Sequence, residues 1–271
     1  MIDVGMDRDF ADLTAKISRD RGFVCASYKD KCLRRRIAVR MRARGVHTYT
    51  DYARLLDHDG HEYDLLIDAL TINVSKLFRN WDTFAAIDRV VVPDLWSRTD
   101  GPLRIWSAGC AAGEEAYSVA ALFQRYAEQH GVTAAQRVSI LGTDIDKASL
   151  AAAERGAFAD ASFADTPPAL RQRYFSTAIP SVVAPEVRRL VRFERRDLLA
   201  EAPPFPSAHL ILCRNVVIYF DRPTQERLFE RFADTLLPNA FLVLGKVETL
   251  LGVARGRFAP VEGRERIFRR R

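Results

Sequence analysis

The sequence predicts a two-part chain: a small all-α region, then an α/β region whose sheet is mostly parallel with an antiparallel edge. Three observations predict it. Residues 1 to about 75 carry helical spacing and no convincing strand. From Leu103 onward, apolar strand-like runs alternate with helical segments, as in a parallel sheet covered on both faces. The stretch Leu103 to Ser118, LRIWSAGCAAGEEAYS, reads as a buried strand, a small-residue turn and a helix start.

The helical region begins with Asp7 to Arg21, where Phe10, Leu13 and Ile17 recur at helical spacing. Tyr28 to Arg44 follows, with Leu33, Ile37 and Met41 as an apolar stripe. Around the stripe sit Lys29, Lys31, Arg34, Arg35, Arg36, Arg40, Arg42 and Arg44, against the lone acid Asp30. A solvated face explains such a charge run as readily as a docking surface for an acidic protein does. Aromatic interleaving is too sparse for a nucleic-acid site. Thr48 is an expected N-cap for a helix through Tyr52 and Leu56, and His58-Asp59-Gly60 separates it from a further helix carrying Leu65 to Leu70. Thr71 to Asn80, TINVSKLFRN, follows, and an amphipathic helix over Trp81 to Trp96 bridges into the second region. The boundary is expected near Arg79, giving a helical domain over 1–79 and a sheet domain over 80–271.

In the second region the expected strands are Leu103–Ser107, Arg137–Thr143, Leu190–Phe193, His209–Cys213 and Phe241–Leu244. Helices are expected to about His130, from near Lys147 with Asp146 as cap, ending at Tyr174-Phe175, and over Asp221 to Leu237. The tail from Phe258 to Arg269 reads as two short antiparallel strands joined at Gly263.

Composition narrows the function. A formal net charge of +6 favours an acidic partner without demanding nucleic acid. Cys25, Cys32, Cys110 and Cys213 form no C-x-x-C pair and the five histidines no ligand spacing, so neither a metal nor a disulfide framework is expected. No run approaches the roughly 18 apolar residues of a membrane span, and MIDVGMDRDF lacks the parts of a signal peptide, so a cytoplasmic location without membrane insertion is expected. No exposed apolar heptad is evident, which favours a monomer.

The turn after the first strand sets the ligand class. Ala108, Gly109, Ala111, Ala112 and Gly113 leave the backbone open to close approach at Gly109. Glu114 and Glu115 then suit the helix dipole but would repel a pyrophosphate. They welcome a cationic ligand such as S-adenosylmethionine, which carries a sulfonium and an ammonium. Asp144, closing the second strand, suits the two hydroxyls of a ribose. Asp197 and Arg214-Asn215 follow the third and fourth strands on the same rim. Methyl transfer to a carboxylate needs no general base, because a glutamate is ionised near neutral pH. A guanidinium orienting that carboxylate and a tyrosine beside the methyl suit the task, and Arg79 and Tyr219 are the candidates.

At these residues the chain resembles the CheR family, the glutamate methyltransferases of chemotaxis receptors. The resemblance rests on Thr71-x-Asn73-x-Ser75-x-x-Phe78-Arg79, on Trp106 to Cys110 with Gly113-Glu114-Glu115-x-Tyr117-Ser118, on Thr143 to Asp146, and on Cys213-Arg214-Asn215-Val216-x-Ile218-Tyr219-Phe220. It implies a Rossmann-like methyltransferase domain behind the helical one, S-adenosylmethionine as cofactor and S-adenosylhomocysteine as product. It also implies methyl-ester formation on glutamates of the receptors' cytoplasmic helices. By motif, Asn73, Ser75, Glu115, Asp144, Asp197, Leu198, Arg214 and Asn215 would line the cofactor, with Arg79 and Tyr219 by the transferred methyl. The basic helix, with Arg34, Arg35, Arg36, Arg40, Arg42 and Arg44, matches the receptor-facing helix of the family. Departures are Leu77, Ala116, Asp197 in place of asparagine, and Gly245-Lys246-Val247-Glu248 in place of Gly-His-Ser-Glu. The segment between Phe175 and Val191 is short for a receptor-tethering hairpin, so docking to a receptor's C-terminal pentapeptide is not expected. Two alternatives stay open: a scaffold or sensor that binds the cofactor without turnover, and a nicotinamide-dependent dehydrogenase, which the missing G-x-G-x-x-G opposes.

Overall fold

A computed structural model describes residues 4–71 and 75–271. Two compact units result, one comprising Met1–Ile72 with Tyr219–Thr224, the other Asn73–Ile218 with Gln225–Arg271.

The first unit is helical: α1 (Val4–Arg21), α2 (Asp30–Ala43), α3 (Tyr49–His58) and α4 (Gly60–Leu70). Their apolar stripes meet in one core of Phe10, Leu13, Ile17, Leu33, Ile37, Met41, Tyr52, Leu56, Leu66 and Leu70. The Thr48 hydroxyl accepts from Asp51 N at 3.1 Å to start α3, and the Asp59 carboxylate accepts from Glu62 N at 2.9 Å to start α4. Glu62 is fully buried, and its carboxylate receives Arg40 through Nε and Nη2 (3.0 and 2.5 Å), Tyr52 Oη (2.7 Å) and Arg44 Nη1 (3.3 Å). Burial alone would raise this carboxyl's pKa. The hydrogen bonds from Arg40 and Tyr52 outweigh burial and hold it below its usual range.

The basic helix therefore has two kinds of arginine. Arg34 pairs with Asp7 (2.7 Å) and lies over the Phe10 ring, Arg36 donates to Ala69 O (2.9 Å), and Arg40 and Arg44 serve Glu62 and Asp59. Arg35 and Arg42 are exposed, with Lys31 and the half-exposed Val39 on the same face. The short segment Tyr219–Thr224 belongs to this unit too: Lys29 N donates to Tyr219 O (2.9 Å), Asp221 N donates to Ser27 O (3.0 Å), and Tyr28 and Phe220 meet edge to face.

The second unit opens with α5 (Trp81–Ala86), a π-helical turn over Ile87–Val91, and α6 (Val92–Arg98), which together fill the expected 81–96 helix. Phe84, Ile87, Val91, Val92 and Leu95 lie in the core of this unit. Its remaining elements are β1 (Leu103–Ala108), α7 (Glu114–Gln129), β2 (Val138–Asp144), α8 (Lys147–Arg155), β3 (Ala157–Phe158), α9 (Pro168–Tyr174), β4 (Ser181–Val182), α10 (Pro185–Arg188), β5 (Val191–Arg195), β6 (Ala208–Cys213), α11 (Arg222–Thr235), β7 (Leu236–Leu244), β8 (Phe258–Glu262) and β9 (Ile267–Arg270). Seven strands form one sheet in the order β5-β2-β1-β6-β7-β9-β8, parallel from β5 to β7 and antiparallel at β9 and β8. β5 and β8 are its two borders. No helix among the described residues is long and apolar enough to cross a membrane.

The structure differs from expectation in three places. The division falls between Ile72 and Asn73 rather than near Arg79, because Leu77 and Phe78 are fully buried in the core of the sheet unit. Leu77 N donates to Ser162 O (2.9 Å) and Phe78 N to Ser118 Oγ (2.8 Å). The last parallel strand, β7, begins at Leu236, where a helix was expected to continue. Leu236 pairs with Ala208, and an irregularity follows before Phe241 takes up the pairing with Leu210. β3 and β4 make a separate two-stranded antiparallel sheet that the sequence did not announce.

Replacing Glu62 by alanine should cost the helical unit about 3 kcal/mol, since it strands the half-buried Arg40 guanidinium and the buried Tyr52 hydroxyl. Urea unfolding at pH 7 measures it. Glu62 has a lowered folded pKa, so its contribution is complete above the unfolded value of about 4.3. It is lost as pH falls through the folded value, and the gap between wild type and variant should narrow in acid.

Candidate functional site

The carboxyl ends of β1, β2, β5 and β6, within the sheet unit, carry or are followed by Gly109 and Glu115, Asp144, Asp197, and Arg214 with Asn215. β1 ends in a turn that crosses the left-handed region at Gly109 (φ +79°) and again at Gly113 (φ +89°), which precedes α7. A Cβ on Gly109 would stand 2.5 Å from Val216 Cγ2. The bare turn thus admits the loop after β6, and the close approach expected of a ligand at Gly109 is made here by a side chain of the protein.

Glu115, in the first turn of α7, accepts from Ser107 Oγ at 2.8 Å and faces Arg214 Nη1 at 3.7 Å. Arg214, at the end of β6, is only 7% exposed. Its Nη2 donates to Arg79 O (2.7 Å) and lies 3.4 Å from Asn80 Oδ1, and the guanidinium sits over the Phe84 ring. Burial pushes the Glu115 carboxyl up to about 7 against the opposing pull of Arg214 and Ser107. Glu114 is also pushed up to about 7 by burial, with Asp144 adding to the effect, and its Oε2 has no hydrogen-bond partner among the described residues.

Asp144 closes β2 with Oδ2 accepting from Ala111 N (2.9 Å) and Oδ1 from Asp146 N (3.1 Å); burial raises its pKa. Asp197, after β5, accepts from Leu199 N (2.8 Å) and Ala200 N (3.3 Å), and Leu198 is half-buried beside it. Asn215 follows Arg214 with a left-handed φ of 59° and a buried, unpartnered Oδ1. Ser75 is half-buried. Asn73 lies outside the described residues. Tyr219 is grouped by the structure with the helical unit, apart from the other candidates.

Glu248 was noticed in the sequence only as the end of an altered motif. It is 2% exposed. Its Oε2 accepts from Asn215 N (2.9 Å) and Gly245 N (2.6 Å), the backbone N–H groups of Val216 and Ile218 also stabilise it, and its Oε1 has no partner among the described residues. The carboxylate shapes the turn that presents Arg214 and Asn215. Lys246, the other departure in that motif, lies 3.4 Å from Asp82 Oδ2 and 3.3 Å from Glu265 Oε2. Two acids occupy its ammonium.

Among the described residues, the buried charged groups of this unit are Glu114, Glu115, Glu248 and Arg214: three carboxylates to one guanidinium. Unpartnered acceptor oxygens on Glu114, Glu248 and Asn215 accompany the excess of carboxyl groups, which a cationic ligand would hold in their ionised form. Such a donor set suits a cationic ligand with an ammonium group and rejects phosphate.

The family described as "CheR methyltransferase, SAM binding domain" matches residues 73–267, and "CheR methyltransferase, all-alpha domain" matches residues 8–71. A chemotaxis protein methyltransferase of Listeria innocua is 30% identical over 92% of this chain and 93% of its own length. One from Klebsiella aerogenes is 32% identical over 92% of this chain and 86% of its own. An uncharacterized 104.1 kDa protein of Rhodobacter capsulatus is 36% identical over 89% of this chain, which spans a quarter of that protein.

A carboxyl whose folded pKa is raised destabilises the fold once its unfolded counterpart ionises. From about pH 4.3 to 7 the folded state holds more protons, so the sheet unit should lose stability as pH rises through that window and level off above it. Glu114→Gln should flatten the slope, read by thermal unfolding across pH without ligand.

Proposed function

Because the chain belongs to the CheR methyltransferase family, we propose that it transfers a methyl group from S-adenosylmethionine to glutamate side chains on the cytoplasmic helices of chemoreceptors, leaving S-adenosylhomocysteine. The observation that carries this reading is the buried excess of carboxylate around a single guanidinium at the strand ends. It matches a donor that carries two positive charges. Glu114, Glu115 and Asn215 would hold the methionine end, Asp144 the ribose, and Asp197 and Leu198 the adenine, with Ser75 and Asn73 completing the lining.

Bound S-adenosylmethionine supplies an electrophilic methyl carbon on a positively charged sulfur. The acceptor would be a carboxylate already ionised at neutral pH, so no residue of this chain would need to take up a proton. The protein's work is alignment and exclusion of water. Arg79 would orient the substrate carboxylate by two parallel hydrogen bonds. Arg214 holds the backbone of Arg79 through its carbonyl and so sets where that side chain starts. Tyr219 would stand beside the methyl. Glu115 is engaged by Ser107 and Arg214, which keeps it from competing as an acceptor.

On the helical unit, Lys31, Arg35 and Arg42 form the cationic face available to an acidic helix, whereas Arg34, Arg36, Arg40 and Arg44 already have partners. Attraction across that face would speed encounter and orient the substrate. Lys246, the departure from the family motif, is held by Asp82 and Glu265.

The test is transfer of tritium from labelled S-adenosylmethionine to a receptor cytoplasmic fragment, released by base. Arg79→Ala should lower the rate by about a hundredfold with cofactor affinity little changed. Absence of transfer to any receptor fragment, with cofactor bound, would leave the scaffold reading. The pair Arg35→Glu and Arg42→Glu should raise the KM for the fragment at low salt and do so less at 0.5 M salt, where the screening length falls to about 4 Å from about 10 Å at 0.1 M. Melting temperature should stay near that of wild type.

A further inference from the structure

The segment after β5 has no regular structure, yet a single side chain gathers its carbonyls. Arg231 of α11 donates through Nη1 to Leu198 O (2.9 Å) and Leu199 O (3.0 Å), and through Nη2 to Glu201 O. The N–H groups of the same segment are gathered from the other side. Asp197 Oδ1 accepts from Leu199 N and Ala200 N, and Glu201 Oε1 accepts from Asp197 N (3.0 Å). A planar guanidinium fork can hold three carbonyls at once, which an ammonium on a flexible stem cannot do with the same geometry.

Asp197 is also an aspartate where the family pattern has asparagine, so this segment carries a charge that needs an explanation. Burial lowers the pKa of Arg231, and the Asp197 carboxylate acts against that effect. Because Oδ1 of Asp197 takes both local N–H groups, Oδ2 is left to accept from a ligand.

We propose that Arg231 is a positioning residue for recognition of the adenine amine: by clamping the carbonyls of Leu198, Leu199 and Glu201 and countering the charge of Asp197, it fixes where the Asp197 carboxylate meets the cofactor. The inference rests on the reading that Asp197 and Leu198 line the adenine. Arg231 itself touches no ligand in this arrangement; its effect passes through the segment it holds.

The experiment is calorimetry on the full chain with two ligands, S-adenosylhomocysteine and S-inosylhomocysteine, which has a ring carbonyl in place of the adenine amine. Wild type should prefer the adenosyl ligand. Arg231→Met should weaken S-adenosylhomocysteine by about tenfold and the inosyl ligand far less, so that the preference collapses. Arg231→Lys, which keeps the charge and loses the fork, should fall between them and carries the test if the methionine variant does not fold. A preference unchanged from wild type in either folded variant, whatever happens to the melting temperature, overturns the proposal. Failure of wild type to bind S-adenosylhomocysteine overturns instead the cofactor reading beneath it.

Discussion

The sheet unit is built around one buried guanidinium. Arg214 faces Glu115, donates to the carbonyl of Arg79, lies beside Asn80 and stacks on Phe84, and Glu115 in turn holds Ser107 on the neighbouring strand. A desolvated cation is costly unless its surroundings answer it. Here the answer comes from three stretches of chain far apart in sequence: the segment before α5, the end of β1 with the start of α7, and the end of β6. None of them can shift without leaving the guanidinium or Glu115 unpartnered. The contacts tie these stretches to one another through a single side chain.

The same economy governs the helical unit with the sign reversed. There the buried charge is a carboxylate, Glu62, and the cations come to it from α2. A helix that looks uniformly basic in sequence is partly an internal fastening. Solvation of the whole run and docking by the whole run were both too simple: Arg40 and Arg44 turn inward to their acids, whereas Arg35 and Arg42 remain on the outer face.

Much of this could be read from residue order. Period-two and period-3.6 patterns are strong where elements are long, so the parallel strands and α7 were legible, and cap chemistry placed Thr48 and Asp146 correctly. β3 and β4 were not legible, because two residues make no period. The start of β7 was missed because Leu236 and Leu237 also continue the apolar stripe of α11. The roles of Glu248 and Arg231 were not legible because each acts on backbone groups, and backbone partners leave no side-chain pattern to read. Among the site residues, Gly109 was understood for its freedom but not for its neighbour: the space over it is taken by Val216.

β5 forms one border of the sheet, and the alternative fate of any exposed border is to recruit another chain. This one is five residues long and carries Arg192, Glu194 and Arg195 in the exposed state. Two copies meeting there edge to edge would gain only a very short ladder and would have to strip water from these charges to form it. The border is thereby guarded against filament growth.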